Sequence, residues 1–168
     1  MFQVGECVVK AYTGICRIEA ITTVDWDLRD KNKLFYMLVP MNDLKSKIYV
    51  PVEPEPANIR RLLSKEEAEE LLCVIPRLDE ITIVNEKQRE HVYREIIKSN
   101  NPENLACIIK TIYTRSVHRS TRGKKLPEMD KRYFDIAEGI LYTELATVLG
   151  KEITDIPLLI AEIVKNGD

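Results

Sequence analysis

The first sixty residues break into short apolar runs punctuated by glycine and proline, and this punctuation constrains the fold more than any other feature. Phe2-Gln3-Val4-Gly5-Glu6-Cys7-Val8-Val9-Lys10 joins an apolar start and a Gly-acid corner to two β-branched residues, and Thr13-Gly14 makes a second corner. Gly5 and Gly14 suit a tight bend or a backbone with positive φ. Ile15–Ile21 then mostly alternates in polarity, as a half-buried strand does. Leu34–Val39 and Ile48–Pro51 read as two more strands, the second closed by Pro51, which cannot donate to a ladder. Val52-Glu53-Pro54-Glu55-Pro56 excludes regular structure, because each proline also restrains the residue before it. Asn58–Leu62 supplies a short closing strand, and the set predicts a small β-barrel.

At Ser64 the period changes. Ser64-Lys65-Glu66-Glu67 is a capping box, with the serine oxygen facing a first-turn amide and Glu67 reaching back. Its helix runs to about Cys73 and buries Leu71 and Leu72; Val74–Asp79 is expected to be a hinge. Asn85-Glu86-Lys87-Gln88 is a second capping signal, followed by an apolar face of Val92, Tyr93, Ile96 and Ile97. Pro102 sits in the first turn of the next helix, which carries Leu105, Ile108, Ile109 and Ile112. His118–Lys125 reads as a basic loop. The longest helix starts at Pro127-Glu128, recurs through Ala137, Leu141 and Leu145, and stops at Gly150. A last helix over Asp155–Asn166 has Pro157 in its first turn and Gly167 past its end. The fold class is therefore α+β: an N-terminal small β-barrel followed by an all-α C-terminal helical bundle. The expected division is residues 1–63 for the barrel, 64–80 for a helix and hinge, and 81–168 for the helical domain.

Charge divides along the same line. Residues 1–80 hold 11 Lys/Arg against 14 Asp/Glu, and residues 87–132 hold 12 against 5, a net of +7. A basic segment beside an acidic one points to a polyanion partner for one part of the chain. Of the basic residues, Lys87, Arg89, Arg94 and Lys98 share the first helix of the bundle. Arg115, Arg119, Arg122, Lys124, Lys125, Lys131 and Arg132 crowd the second interhelical loop and the next helix start. Cys7, Cys16, Cys73 and Cys107 are spread through apolar contexts without metal-ligand spacing, which predicts small buried thiols and no metal site. No nucleophile elbow, P-loop or dinucleotide fingerprint occurs, and neither an enzyme nor a cofactor is expected. Glu66-Glu67 and Glu69-Glu70 are simplest as a solvated helix face. The N-terminus has neither a basic n-region nor an apolar h-region, so the expected location is cytoplasmic. Trp26, the one tryptophan, lies in the charged stretch Thr23–Lys33; it is either an exposed binding residue or a lid folded back on the barrel.

The ordered pattern Phe2-x-Val4-Gly5-Glu6-x-Val8-Val9, Gly14-Ile15-x-x-Ile18, Tyr36-x-Leu38, Ile48-x-Val50-Pro51 and Arg60-x-Leu62 resembles the CarD family of bacterial transcription regulators. In the second half, Ser99-Asn100-Asn101 with Leu105-Ala106, and Met129-Asp130-Lys131-Arg132-Tyr133 with Ala137, Ile140-Leu141 and Glu144-Leu145-Ala146, are similar to that family's helical signature. The resemblance spans roughly residues 1–150; Lys10-Ala11 departs from the aromatic-Pro pair usual there.

The resemblance implies a Tudor-like (SH3-like) barrel, shared with transcription-repair coupling factors, that binds the β subunit of RNA polymerase. It places the polymerase-facing residues near Val24 and Tyr49, with Lys47 able to restore a charge. It also implies a helical domain touching promoter DNA, largely independent of sequence, at the upstream edge of the bubble. The phosphate-contact candidates are Lys87, Arg89 and Lys131 on that basis, with Arg119 and Arg132 added from charge. The family's DNA wedge is a Trp; here its position falls at Glu86, so either Ile83 or Tyr93 serves instead or open-complex stabilisation is weak or absent. A polymerase-binding adaptor without DNA contact is the alternative. An exposed barrel edge also offers a route to self-pairing.

Overall fold

The structure, a computed structural model, describes residues 1–26, 30–56 and 58–166. Residues 27–29 of the charged stretch, and Gly167 as the expected stop of the last helix, lie outside these. Five strands form one antiparallel sheet: β1 (Cys7–Lys10), β2 (Gly14–Thr22), β3 (Phe35–Pro40), β4 (Ile48–Pro51) and β5 (Ile59–Arg61), in spatial order β4-β3-β2-β1-β5. The sheet curls, and among the described residues β4 and β5 do not pair with each other, so the expected barrel is an open half-barrel. A register shift between Ile18 and Ala20 in the β2–β3 ladder is the kind of irregularity that sharpens such a curl.

Alternation gives the sheet two faces of different fate. Val8, Cys16, Ile18, Tyr36, Leu38, Val50, Val52 and Ile59 point into the curl and form its own core. On the other face, Val9 pairs with Ile15 and both join the core of the helical part. Further along that face, beyond β2, come Met37, Tyr49 and Phe35, which no helix covers with a shared core.

The helices are α1 (Lys65–Val74), α2 (Arg89–Ser99), α3 (Pro102–Ser120), α4 (Glu128–Leu149) and α5 (Asp155–Asn166). The Ser64 capping box closes in both directions. Asn101 caps α3 at the amide of Asn104, with Pro102 in the first turn. Gly150 ends α4 with φ +63°, a conformation open to glycine at little cost. The Asn85 signal leads to a different element from the one expected. Its side chain caps the amide of Lys87 at 3.0 Å and starts a short 3-10 turn over Glu86–Gln88, and α2 begins only at Arg89. The expected basic loop is partly helical, since α3 continues to Ser120.

The segment expected to be a hinge is packed in place. Ile75 is buried, and the Lys110 ammonium donates to the carbonyls of Pro76 at 3.0 Å and Leu78 at 2.5 Å. The sheet and the helices also meet along a polar seam. Arg60 of β5 donates two parallel 2.7 Å bonds to the carboxylate of Glu144 on α4, which is fully buried and also accepts from the Leu63 amide at 2.8 Å. Arg60 Nε reaches the Asn100 carbonyl at 2.6 Å, and the Asn100 amide donates to the Val9 carbonyl at 2.8 Å. Tyr12, at the β1–β2 turn, donates to the Arg94 carbonyl of α2.

The cysteines depart from expectation. Cys16 is buried, but Cys7 and Cys73 are exposed and Cys107 is intermediate, because the first two fall on the outward positions of their strand and helix. Burial pushes the Cys16 thiol up to about 11 from 9.0. Alkylation in the native state is therefore expected at Cys7 and Cys73 first, with Cys16 slower by about a hundredfold from its thiolate fraction alone. Mass spectrometry after a timed pulse of iodoacetamide reads the order; early labelling of Cys16 would contradict this packing.

Candidate functional site

Two surfaces carry the residues singled out by the sequence, and they lie on different parts of the molecule. The first is the uncovered end of the sheet. Tyr49 on β4 sits opposite Met37 on β3, and its hydroxyl lies 3.5 Å from the Met37 sulfur. Trp26 stacks edge-on against Tyr49 with ring centroids 4.9 Å apart and lies 6.5 Å from Phe35. Both readings of Trp26 thus meet in one geometry: the ring folds back on the sheet, yet 62% of the residue stays exposed. Val24 is buried, Tyr49 is half-buried and Lys47 is exposed just ahead of β4. Leu34, Met41 and Leu44 add exposed apolar surface around the same hairpin. β4 is an edge strand, so one side of its backbone has no ladder partner among the described residues.

The second surface is the end of the helical bundle where the starts of α2 and α4 meet the C-terminal half of α3. Ion pairs knit it together. Arg89 is only 6% exposed; it is fixed by both carboxylate oxygens of Glu86 and donates to the Tyr93 hydroxyl at 2.9 Å. Its hydrogen bonds hold the Glu86 carboxyl below the usual range. Arg115 reaches Glu86 at 3.4 Å and Asp130, fully buried at the start of α4, at 2.8 Å. Arg132 pairs with Glu90 at 2.6 Å and lies over the Tyr133 ring.

Of the five expected phosphate contacts, Lys87 and Lys131 are exposed and take part in no ion pair among the described residues. Arg132 is exposed but paired. Arg119 is half-buried and bonded to the Lys125 carbonyl at 2.7 Å. Arg89 is not on the surface: its charge is spent inside the fold, on Glu86. Sequence reasoning missed this because an Arg three residues after a Glu reads as an ordinary exposed helix pair, and only the aromatic at position 93 hinted at burial. Tyr93 is fully buried and Ile83 half-buried, so neither of the expected substitutes for a wedge is presented freely. The apolar side chain presented there is Val84, 97% exposed. Among the described residues no group of three His, Cys, Asp or Glu could hold a metal ion. No helix of the described chain is long and apolar enough to cross a membrane.

A curled sheet with an edge strand and an exposed aromatic cluster beside it has the geometry used for strand addition by a protein partner. The family comparison agrees. Residues 2–63 match the model of the CarD-like/TRCF RID domain, and the match ends one residue before the cap of α1. Over these residues the chain is similar to the CarD-like/TRCF RID domain family. No curated protein matches the chain.

Proposed function

We propose that the protein is a non-enzymatic regulator of transcription whose sheet docks on the β subunit of RNA polymerase while the basic end of its helical domain touches promoter DNA near the upstream edge of the bubble. The observation that carries the first half is the RID match over the whole sheet. The β4 edge offers backbone groups for strand addition, and Trp26 and Tyr49 supply an aromatic anchor beside it, with Lys47 at the rim. For the second half, Lys87 and Lys131 are the leading phosphate contacts, with Arg132 beside them and Arg119 at the margin. Arg89 acts from within, by holding Glu86 and the start of α2. Such contacts give salt-sensitive binding with little base choice. The neutralised Glu86 repels phosphate less than a free carboxylate, and Val84 is the apolar group available to lean against a distorted groove.

A second reading is favoured by one specific observation. Arg89, Arg94, Arg115 and Arg132 are all paired with carboxylates, so four of the segment's 12 Lys/Arg are already engaged within the fold. That is the surface of an adaptor that binds polymerase alone.

Binding to polymerase holoenzyme on a forked promoter fragment separates the two. Wild type and a Lys87→Glu/Lys131→Glu variant are compared at two salt concentrations. Under the two-handed reading, DNA raises the affinity of wild type, and the variant loses that gain together with about two units of the log–log salt slope. Equal binding with no gain from DNA establishes the adaptor. No binding of wild type to polymerase overturns the proposal as a whole.

A further inference from the structure

Beside the face assigned to DNA lies a separate cleft of 380 Å³. One wall is the extended segment 80–83, pinned by the Ile81 amide donating to Thr111 Oγ1 at 2.8 Å; the other is the C-terminal half of α3 and the turn after it. Lys87, Lys131 and Arg132 do not line it. Its guanidinium groups are held ready by the fold. Arg119 uses only Nε, on the Lys125 carbonyl, so both terminal nitrogens of its fork have no partner among the described residues. Arg115 is fixed by Asp130 and Glu86 through Nε and one terminal nitrogen, which leaves the other unengaged among the described residues. Arg122 and Lys124 stand at the mouth and form no ion pair among the described residues. Gly123, at φ +65°, turns the chain back so that the Lys124 amide donates to the Arg119 carbonyl at 2.9 Å. Glu80 is the one carboxylate in the lining.

We infer that this cleft binds a compact, multiply charged phosphate, either free or as the phosphorylated end of a small molecule. Arginine forks with a fixed Nε and free terminal nitrogens match phosphate oxygens in pairs, with little side-chain freedom left to lose on binding. Cations beyond those needed at a helix C-terminus converge here: Arg119 already faces the α3 dipole, and Arg122 and Lys124 come on top of it. The volume is at the low end for ligand sites, which run from about 300 to 1,000 Å³, and suits a diphosphate better than a backbone ridge. A single phosphodiester, with one charge, would leave most of this cluster unmatched. The inference concerns a site apart from polymerase docking and does not rest on it.

The probe is inorganic pyrophosphate, titrated calorimetrically into the intact protein at low salt, with no polymerase present. Saturable one-to-one binding is expected. Arg119→Gln should weaken it about tenfold or more, the usual scale for losing a charge-assisted hydrogen bond, with Arg122→Gln acting in the same direction. Lys131→Gln should leave it unchanged, and thermal melts of all variants should coincide with wild type, since these side chains are exposed or half-buried. Absence of saturation by about 10 mM, where binding would be worth little, overturns the site. So does equal binding by wild type and Arg119→Gln. In a second arm, duplex DNA is titrated against the same variants. Unchanged DNA affinity in Arg122→Gln supports a small-phosphate site, and a loss per residue as large as that of Lys87→Glu/Lys131→Glu assigns the cleft cations to DNA and overturns it.

Discussion

Replacing Arg60 by Ala is expected to cost about 3 kcal/mol of stability, the low end of what breaking a buried ion pair costs, because Arg60 retains some exposure to water. The loss arises mainly from what stays behind. Glu144 is fully buried, and without the guanidinium its carboxylate keeps, among the described residues, only the Leu63 amide as a hydrogen-bond donor. Chemical denaturation should show a lower midpoint with an unchanged slope. An Arg60→Met/Glu144→Leu double variant should recover much of the loss, since an apolar pair needs no compensating charge. A loss below about 1 kcal/mol for Arg60→Ala would mean the pair is solvated in the native state and the seam is held by packing alone.

The position of this pair gives the result a wider meaning. Val9 and Ile15 already belong to the same core as the helices, so the sheet is seated on the bundle rather than tethered to it. Wild type should then unfold in one step, with Trp26 fluorescence from the sheet and far-ultraviolet dichroism from the helices changing together. In Arg60→Ala the two signals should separate if the seam is what couples them. For a protein proposed to touch polymerase with one end and DNA with the other, a fixed angle between the ends favours positioning. Flexibility at Val74–Asp79 would have spread the DNA-facing end over many orientations.

Much of this architecture is legible in the sequence because local rules carry it. Period-2 alternation marks β2, a short continuous apolar run marks β3, and the caps at Ser64, Asn101 and Gly150 fix helix ends by hydrogen bonds to neighbours in the chain. What the sequence hides depends on single polar residues meeting across long separations. Glu144 has the look of a solvent-facing helix carboxylate, and its partner Arg60 stands 84 residues earlier. Arg89 resembles the exposed cations around it until Tyr93 and Glu86 enclose it. Asn85 shows the limit of a capping signal: it marks where helical hydrogen bonding starts, but the same amide bond opens a 3-10 turn as readily as an α-helix. At the candidate sites, the pattern of residues 2–63 pointed to the family that the sheet resembles, whereas which cations are free had to come from the pairing of their neighbours.

Asn100 offers the most discriminating test of the seam. It ends α2 at φ 54° and ψ 24°, a left-handed conformation that asparagine tolerates and alanine resists. Its amide donates to the Val9 carbonyl, and its own side-chain oxygen is buried without a partner among the described residues. Asn100→Gly keeps the backbone geometry and removes only the amide, for an expected loss of about 1–2 kcal/mol. Asn100→Ala adds the left-handed strain, about 1–2 kcal/mol more. Asn100→Asp should be the worst of the three at neutral pH, because a carboxylate there cannot donate and faces the carbonyls of Val9 and Asn58. Burial beside those oxygens raises the folded-state pKa above the unfolded value of about 3.9, so the folded form binds the extra proton more tightly. The sign follows: the Asp variant should regain stability relative to wild type as pH falls through the folded-state pKa, since the protonated acid can donate to Val9 again. Denaturant midpoints measured from pH 7 down to pH 4 decide it. A gap between Asn100→Asp and wild type that stays constant over that range would show that position 100 is open to water, and the bond to β1 would then contribute little to joining the sheet and the helices.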